Sequence, residues 1–265
     1  MIIKSLVENT VSSNEYEEEH GLSLYIETLK HKLLFDVGQS DKFIKNALKM
    51  GIDLSTVDTV IISHGHYDHG GGLSHFFKIN NTANIYINKN AFKDFYAEDG
   101  EYIGLNKDLL AENRIIFTDD ECIIDDELYT FTGNKNTRNN YMDTFGLYVK
   151  EPNQFIPDKF LHEQYLIINE NNNKVLFGGC CHKGILNIMD WVKNKDIKTV
   201  IGGFHFMDIN VTQEVDYLYN VARKLKSHEC SYYTCHCTGI DKHNFLKGEM
   251  NDKINYISTG QTISI

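Results

Sequence analysis

The chain is 265 residues long, 42% hydrophobic and 24% charged, ordinary proportions for a globular protein with a sizeable core. Its 37 acidic residues outnumber 26 basic ones, and the net charge of −11 disfavours non-specific binding to nucleic acid or to anionic membranes, since both need clustered Lys and Arg. No apolar run approaches the ~18 residues of a transmembrane helix, and the first residues, Met-Ile-Ile-Lys-Ser-Leu-Val-Glu, do not read as a signal peptide.

In chain order, Leu22–Thr28, Leu33–Asp36 and Val60–Ser63 read as short strands. Ser40 reads as the N-cap of a helix that puts Phe43, Ile44, Ala47 and Leu48 on one face and stops at Gly51, so a βαβ step is expected. Ile85–Ile87, Ile115–Thr118, Glu127–Thr132 and Phe145–Val149 continue as strands between irregular inserts. Tyr165–Ile168 and Val175–Phe177 form a hairpin across the polar break Asn169 to Asn173. Ile185, Ile188, Met189 and Val192 mark a helix face, Thr199–Ile201 a buried strand, and Val215, Leu218, Ala222 and Leu225 another helix face. Tyr232–Cys235, Tyr256–Ser258 and Thr262–Ile265 close the chain as strands. Strands alternate with helices in both halves, the mark of a layered α/β architecture. With no repeat and no Pro- or Ser-rich linker, residues 1–265 are expected to form a single domain. The six Cys, in so long a chain, read as free thiols or ligands, and the cytoplasm is the expected address.

The sharpest signal is Ser63-His64-Gly65-His66-Tyr67-Asp68-His69-Gly70-Gly71-Gly72, which holds three of the 12 His within six residues. It follows the buried run Val60-Ile61-Ile62, and ligands in α/β sheets cluster at strand carboxyl ends. Neutral imidazole suits zinc and similar divalent metals, and a carboxylate adds charge. His64 and His66 can point to one side, while Asp68 and His69 lie beyond the turn, in reach of a second ion.

This H-x-H-x-D-H segment resembles the signature of the metallo-β-lactamase superfamily. Val7-Glu8-Asn9, Glu19-His20-Gly21-Leu22-Ser23, Leu34-Phe35-Asp36-Val37-Gly38, Gly178-Gly179-Cys180-Cys181-His182, Gly202-Gly203-Phe204-His205 and Cys235-His236-Cys237-Thr238-Gly239 follow in order. Together they resemble the subgroup related to 7,8-dihydropterin-6-ylmethyl-4-(β-D-ribofuranosyl)aminobenzene 5′-phosphate synthase, commonly described as metal-dependent hydrolases. The likeness spans essentially the whole chain. It implies a four-layered αββα sandwich and one or two divalent ions, zinc by the chemistry of the donors, with iron or manganese admitted.

The same resemblance implies roles. His64, His66, Asp68 and His69 match the first metal motif. His182 and the late His236 are implied as further ligands, and Cys180, standing where relatives carry an acidic residue, is a candidate thiolate ligand able to bind a soft metal or bridge two ions. Asp36 is implied as the partner that orients a ligand His. His205 is implied as a ligand or as a stabiliser of developing charge, and His20 as a neighbour of the site. Cys235 and Cys237 flank His236 and, by strand alternation, are expected to point away from it. Arg138, one of only three Arg in the chain, and Lys183 are candidates to bind an anionic group. The stretch Asn134-Lys135-Asn136-Thr137-Arg138 departs from the subgroup's acidic-Ile-Pro-Arg pattern, which puts the synthase's substrate in doubt. His31, His75, His162, His228 and His243 are read as surface or structural.

Hydrolysis of a small anionic or phosphorylated molecule is the first reading, with Asp68 orienting the water. The alternatives are a transferase like the named synthase and a non-catalytic metal or redox sensor built on Cys180-Cys181. A nuclease is disfavoured by charge. A small-molecule partner, no nucleic acid and no membrane are expected; no motif specifies an oligomeric state.

Overall fold

Two seven-stranded sheets face each other in the computed structural model, which describes residues 1–140 and 143–265. The first runs Thr262–Ser264, Ile2–Val7, Ser23–Glu27, Lys32–Phe35, Thr59–Ile62, Asn84–Asn88 and Ile115–Thr118 in spatial order. The second runs Ile254–Tyr256, Ser231–Thr234, Ile197–Gly202, Asn173–Gly178, Tyr165–Glu170, Leu128–Phe131 and Glu121–Ile123. A small third sheet joins Gln154–Pro157, Tyr148–Glu151 and Phe95–Tyr96.

Three apolar layers hold the stack. Between the sheets, Leu24, Leu33, Phe35 and Ile61 of the first meet Leu166, Ile168, Phe177 and Ile201 of the second. On the outer face of the first sheet, Phe43 and Ala47 from helix Lys42–Lys49 and Phe76 from helix Leu73–Ile79 pack on Val60, Ile62 and Ile85. On the outer face of the second, helices Ile185–Val192, Val215–Lys226 and Ile240–Met250 cover Leu176, Val200 and Tyr232. Helix, sheet, sheet, helix is the αββα order expected. No helix among the described residues is long and apolar enough to cross a membrane.

The βαβ step is present: Lys32–Phe35 and Thr59–Ile62 pair in parallel, Leu33 opposite Thr59. The hairpin Tyr165–Glu170 to Asn173–Gly178 turns through Asn171 and Asn172 alone, both left-handed at φ 53° and 64°. That is the geometry Asn tolerates in a two-residue turn matched to the twist of its strands. Three local expectations fail. Asp41, not Ser40, precedes the first helix; the Ser40 hydroxyl turns to Glu19 instead. Leu48 is 71% exposed, its place in the buried stripe taken by Asn46, whose amide bonds the Leu6 carbonyl at 2.7 Å. Phe145 is left-handed at φ 51° and lies outside the strand, which starts at Tyr148.

This topology positions the site. Parallel strands Lys32–Phe35 and Thr59–Ile62 deliver Asp36 and His64 just past their carboxyl ends. In the second sheet, Asn173–Gly178, Ile197–Gly202 and Ser231–Thr234 are also parallel and lead into Cys180, His205 and His236.

Candidate metal centre

Two adjoining groups of ligand-type side chains lie at the centre of the site. His64, His66 and His182 form one, and Asp68, His69, Cys180 and His236 the other; in each, the candidate donor atoms lie within 4.8 Å of one another. All seven residues are buried. In the first group His64 Nε2 and His182 Nε2 are 3.3 Å apart. In the second, His69 Nε2 lies 3.2 Å from His236 Nε2, and Asp68 Oδ2 lies 3.4 Å from His69 Nε2 and 3.3 Å from His236 Nε2.

The far sides of the His64, His69 and His236 rings are tied down. His69 Nδ1 donates to Asp36 Oδ2 at 2.6 Å, and His236 Nδ1 donates to Asn9 Oδ1 at 2.7 Å. His64 Nδ1 reaches Ser63 Oγ at 2.8 Å, and that hydroxyl in turn donates to Asp36 Oδ2 at 2.7 Å. Each bond leaves the Nε2 lone pair facing the cluster, the arrangement that orients a metal-binding imidazole. The backbone is braced likewise. Glu8 Oε2 accepts from the His236 N–H at 3.0 Å, and Glu163 Oε1 accepts from the His182 N–H at 2.7 Å. Gly65 can carry no side chain, because a Cβ there would stand 2.2 Å from the Ala91 carbonyl oxygen.

Burial and surrounding imidazoles hold His64 and His182 far below the ordinary imidazole value. Burial, with His162 next, takes His66 down to about 3. All three are therefore neutral at pH 7, the state that donates a lone pair. Burial also works against charge on His69, but Asp68 and Asp36 outweigh it and hold its pKa well above normal. Burial pushes Asp68 up, yet His69 and His236 together hold it well below normal. A cation is thus favoured among these carboxylates. The His66 Nε2 is buried with no hydrogen-bond partner, as is His182 Nδ1. Neutral imidazoles, a carboxylate, a thiol and an orphaned imidazole nitrogen are a donor set that fits divalent metal.

A cleft of about 270 Å³ opens over both groups. His20, His205, Tyr67, Ile103, Leu147, Met207 and Asp208 complete its wall. His20 stands 3.4 Å from Asp68 Oδ2, and His205 packs on His182 with ring centres 4.2 Å apart. Arg138 and Lys183 are not brought there. Arg138 donates to the Lys159 carbonyl at 2.6 Å. Lys183 is buried behind the site, its ammonium bonded to the carbonyls of Thr132 at 2.8 Å and Glu163 at 2.9 Å, and burial takes its pKa to about 7. Cys237 also differs from expectation and lines the cleft. The strand ends at Thr234 and His236 is left-handed at φ 50°, so alternation stops before Cys237. Cys235 does point away, into the layer between the sheets. Cys181 enters the outer core beside Ile185, which separates it from Cys180.

Sequence reasoning missed Asn9, Glu163 and the work of His162. His162 Nδ1 accepts the Gly65 N–H at 2.9 Å and its Nε2 donates to Asp158 at 2.9 Å, bracing the turn between His64 and His66.

The family model of the metallo-beta-lactamase superfamily matches residues 17–179, and the chain belongs to that superfamily. A solved structure described as Tm1679, a metal-dependent hydrolase of the beta-lactamase superfamily, superposes with a TM-score of 0.86 at 28% identity, covering 100% of this chain and 99% of that one. An uncharacterized protein of Methanocaldococcus jannaschii is 29% identical over 90% of this chain and 91% of its own length. The 7,8-dihydropterin-6-methyl-4-(beta-D-ribofuranosyl)-aminobenzene-5'-phosphate synthase of the same organism is 27% identical over 98% of this chain and 95% of its own.

Proposed function

We propose that this chain is a metal-dependent hydrolase of a small anionic molecule, working as one 265-residue domain on a dinuclear centre, zinc by preference. His64, His66 and His182 would hold one ion, and Asp68, His69 and His236 the other. The observation that carries this reading is the convergence of these six side chains under one cleft, with His66 Nε2 left unsatisfied by the protein. Imidazole with one carboxylate suits zinc, and additional oxygen ligands would admit iron or manganese.

Bound ions supply Lewis acidity, polarising a substrate oxygen and lowering the pKa of water toward ~7. The protein's own part is positional. Asp68 accepts a hydrogen bond from an attacking water and orients it. Asp36 and Asn9 fix the rings of His69 and His236. His205, on the cleft wall, donates to negative charge that develops on the substrate. Tyr67, Ile103, Leu147 and Met207 exclude water from an apolar substrate body. No Lys or Arg lines the cleft among the described residues, so the ions themselves would meet the anion. The free thiols support a reducing compartment, and we place the protein in the cytoplasm.

A second reading, transfer of a dihydropterin-6-ylmethyl group to an aminobenzene, draws on the 27% identical synthase. Elemental analysis of protein purified without added metal tests the first reading: two ions per chain, one lost in His182→Ala and one in His236→Ala, and hydrolysis lost in both. Full hydrolysis by either variant stripped of metal refutes it. Product formation from a dihydropterin pyrophosphate and an aminobenzene, in place of hydrolysis, would favour the transferase.

A further inference from the structure

The cysteines sort by destination. Cys181 and Cys230 enter the outer core of the second sheet, and Cys235 enters the layer between the sheets. Cys122 is half-buried on the edge strand Glu121–Ile123. Among the described residues, only Cys180 and Cys237 of the six line the cleft. They are 57 positions apart in the chain.

The fold presses these two against each other. Cys237 Sγ donates to the Cys180 carbonyl at 3.6 Å, and the two thiols stand within hydrogen-bonding reach. A Cβ on Gly203 would lie 2.4 Å from Cys237 Sγ and 2.8 Å from the Gly179 carbonyl oxygen, so glycine there lets the sulfur approach the Gly179–Cys180 peptide. Gly203 N–H donates to that Gly179 carbonyl at 2.9 Å, and the Phe206 and Met207 N–H groups both donate to the Cys237 carbonyl at 2.9 Å. Both loops are thereby pinned in register. Cys181, next to Cys180 in the chain, turns left-handed at φ 55° and buries its thiol in the outer core. The neighbour in sequence is therefore not the neighbour in space.

We propose that hydrogen peroxide closes Cys180 and Cys237 into a reversible disulfide in the metal-free protein, and that this bond switches metal uptake off. One sulfur attacks a peroxide oxygen; the O–O bond breaks, water leaves with the thiol proton, and a sulfenic acid forms. The other sulfur attacks the first, the S–S bond forms, the S–O bond breaks, and hydroxide leaves as water with the second thiol proton. Two thiols are oxidised and one peroxide is reduced to two waters. A dithiol reductant returns both thiols by exchange. Cys180 Sγ lies within 4.8 Å of donor atoms of Asp68, His69 and His236, and likewise of His182 and His205, while Cys237 directly follows His236. Drawing the sulfurs from contact to a bond of ~2.05 Å therefore moves an atom inside the cluster and the backbone beside His236. The effect on metal rests on the metal-centre reading above; the bond itself does not.

Equimolar hydrogen peroxide added to the metal-free full chain tests this. Two of the six thiols should disappear, and peptide mapping by mass spectrometry should join the peptide holding Cys180 to the one holding Cys237. Zinc uptake should be lost, and dithiothreitol should restore both the thiols and the uptake. Cys181→Ser should form the same link. Cys237→Ser should form none and should bind as much zinc after mild peroxide as before it. A Cys180–Cys181 link, a link through any other cysteine, or oxidation to sulfinic acid with no link would overturn the pairing, and the wild-type map alone decides this. A linked protein that takes up zinc like the reduced one would overturn the switch and leave the metal centre standing. A reduced wild type that takes up no zinc would overturn the metal centre and the switch together.

Discussion

Replacing Asp36 with Asn removes one charge while keeping the shape of the side chain. Asp36 is fully buried, and its backbone sits at φ 60°, a region Asn tolerates. Its Oδ1 accepts the Ser63 N–H at 2.7 Å, and its Oδ2 accepts Ser63 Oγ at 2.7 Å and His69 Nδ1 at 2.6 Å. In the Asn variant the carbonyl oxygen keeps the Ser63 N–H, and the amide NH₂ faces a hydroxyl and an imidazole N–H, both donors. His69 then moves its proton to Nε2, where it covers the lone pair aimed at the cluster. The lost charge-assisted bond is worth about 1.5–3 kcal/mol. That matches the 10- to 100-fold fall in affinity, ~1.4–2.7 kcal/mol, typical when the partner of a metal-binding imidazole is removed. Titration with zinc against a chromophoric chelator should show the ion near His69 weakened by that factor. The ion near His64 should weaken less, since Ser63 Oγ stays in place at 2.8 Å from His64 Nδ1. Asp36→Ala should do more. It orphans three buried donors at about 1–3 kcal/mol each and puts Ala in left-handed backbone at ~1–2 kcal/mol, a loss of folding stability readable by denaturant. Wild-type affinity for both ions in Asp36→Asn would refute the role assigned to this carboxylate.

Three further outcomes are expected. His162→Ala strips the Gly65 N–H of its acceptor and leaves the Asp158 carboxylate buried without its imidazole. It should cost about 3–5 kcal/mol of unfolding free energy, and an unchanged denaturation midpoint would show that His162 braces nothing. Gly65→Ala drives a Cβ into the Ala91 carbonyl and Phe95. A loss of about 1–3 kcal/mol with weaker binding of the ion near His64 and His66 is expected, and calorimetry with wild-type values would contradict it. His31 lies 2.9 Å from Asp58 and 2.6 Å from Asp125; burial lowers its pKa, but the two carboxylates outweigh it and raise it. A raised pKa means that the folded state holds the proton more tightly. The stabilisation is therefore complete below the unfolded value of ~6.5 and fades as pH rises through the folded value. The difference in melting temperature between wild type and His31→Gln should shrink as pH is raised from ~5.5 to ~8; a constant or growing difference would sink the argument.

What could be read in the sequence was local. His64, His66, Asp68 and His69 share six residues, and their meeting needs only a strand and a turn. His182 and His236 came from the family resemblance of their motifs, and parallel strands deliver both to one side of the sheet. The residues that hold those side chains in place were not legible. His162 meets Gly65 across 97 positions and Asn9 meets His236 across 227, and neither pair has a spacing or a periodicity to show it. Leu48 and Cys237 were misplaced for the opposite reason. Regular periodicity was carried past the point where Asn46 finds a carbonyl and where His236 turns left-handed.

Arg138 and Lys183 bear most directly on function, because they were chosen by chemistry without geometry. A rare Arg and a Lys beside a candidate ligand His look like anion binders. The fold commits both to backbone carbonyls, Lys183 with its charge weakened by burial. The cleft is left with apolar walls, two uncoordinated imidazoles and Asp208. On a chain of net charge −11, no Lys or Arg among the described residues lines the cleft to meet an anionic group. Positive charge would have to arrive as the ions themselves, about +4 for two divalent cations. Substrate affinity and catalysis should therefore depend on the same atoms. Removing metal should abolish binding of an anionic substrate analogue, measured by calorimetry, along with turnover; an analogue that binds the metal-free protein undiminished would show that recognition lies elsewhere.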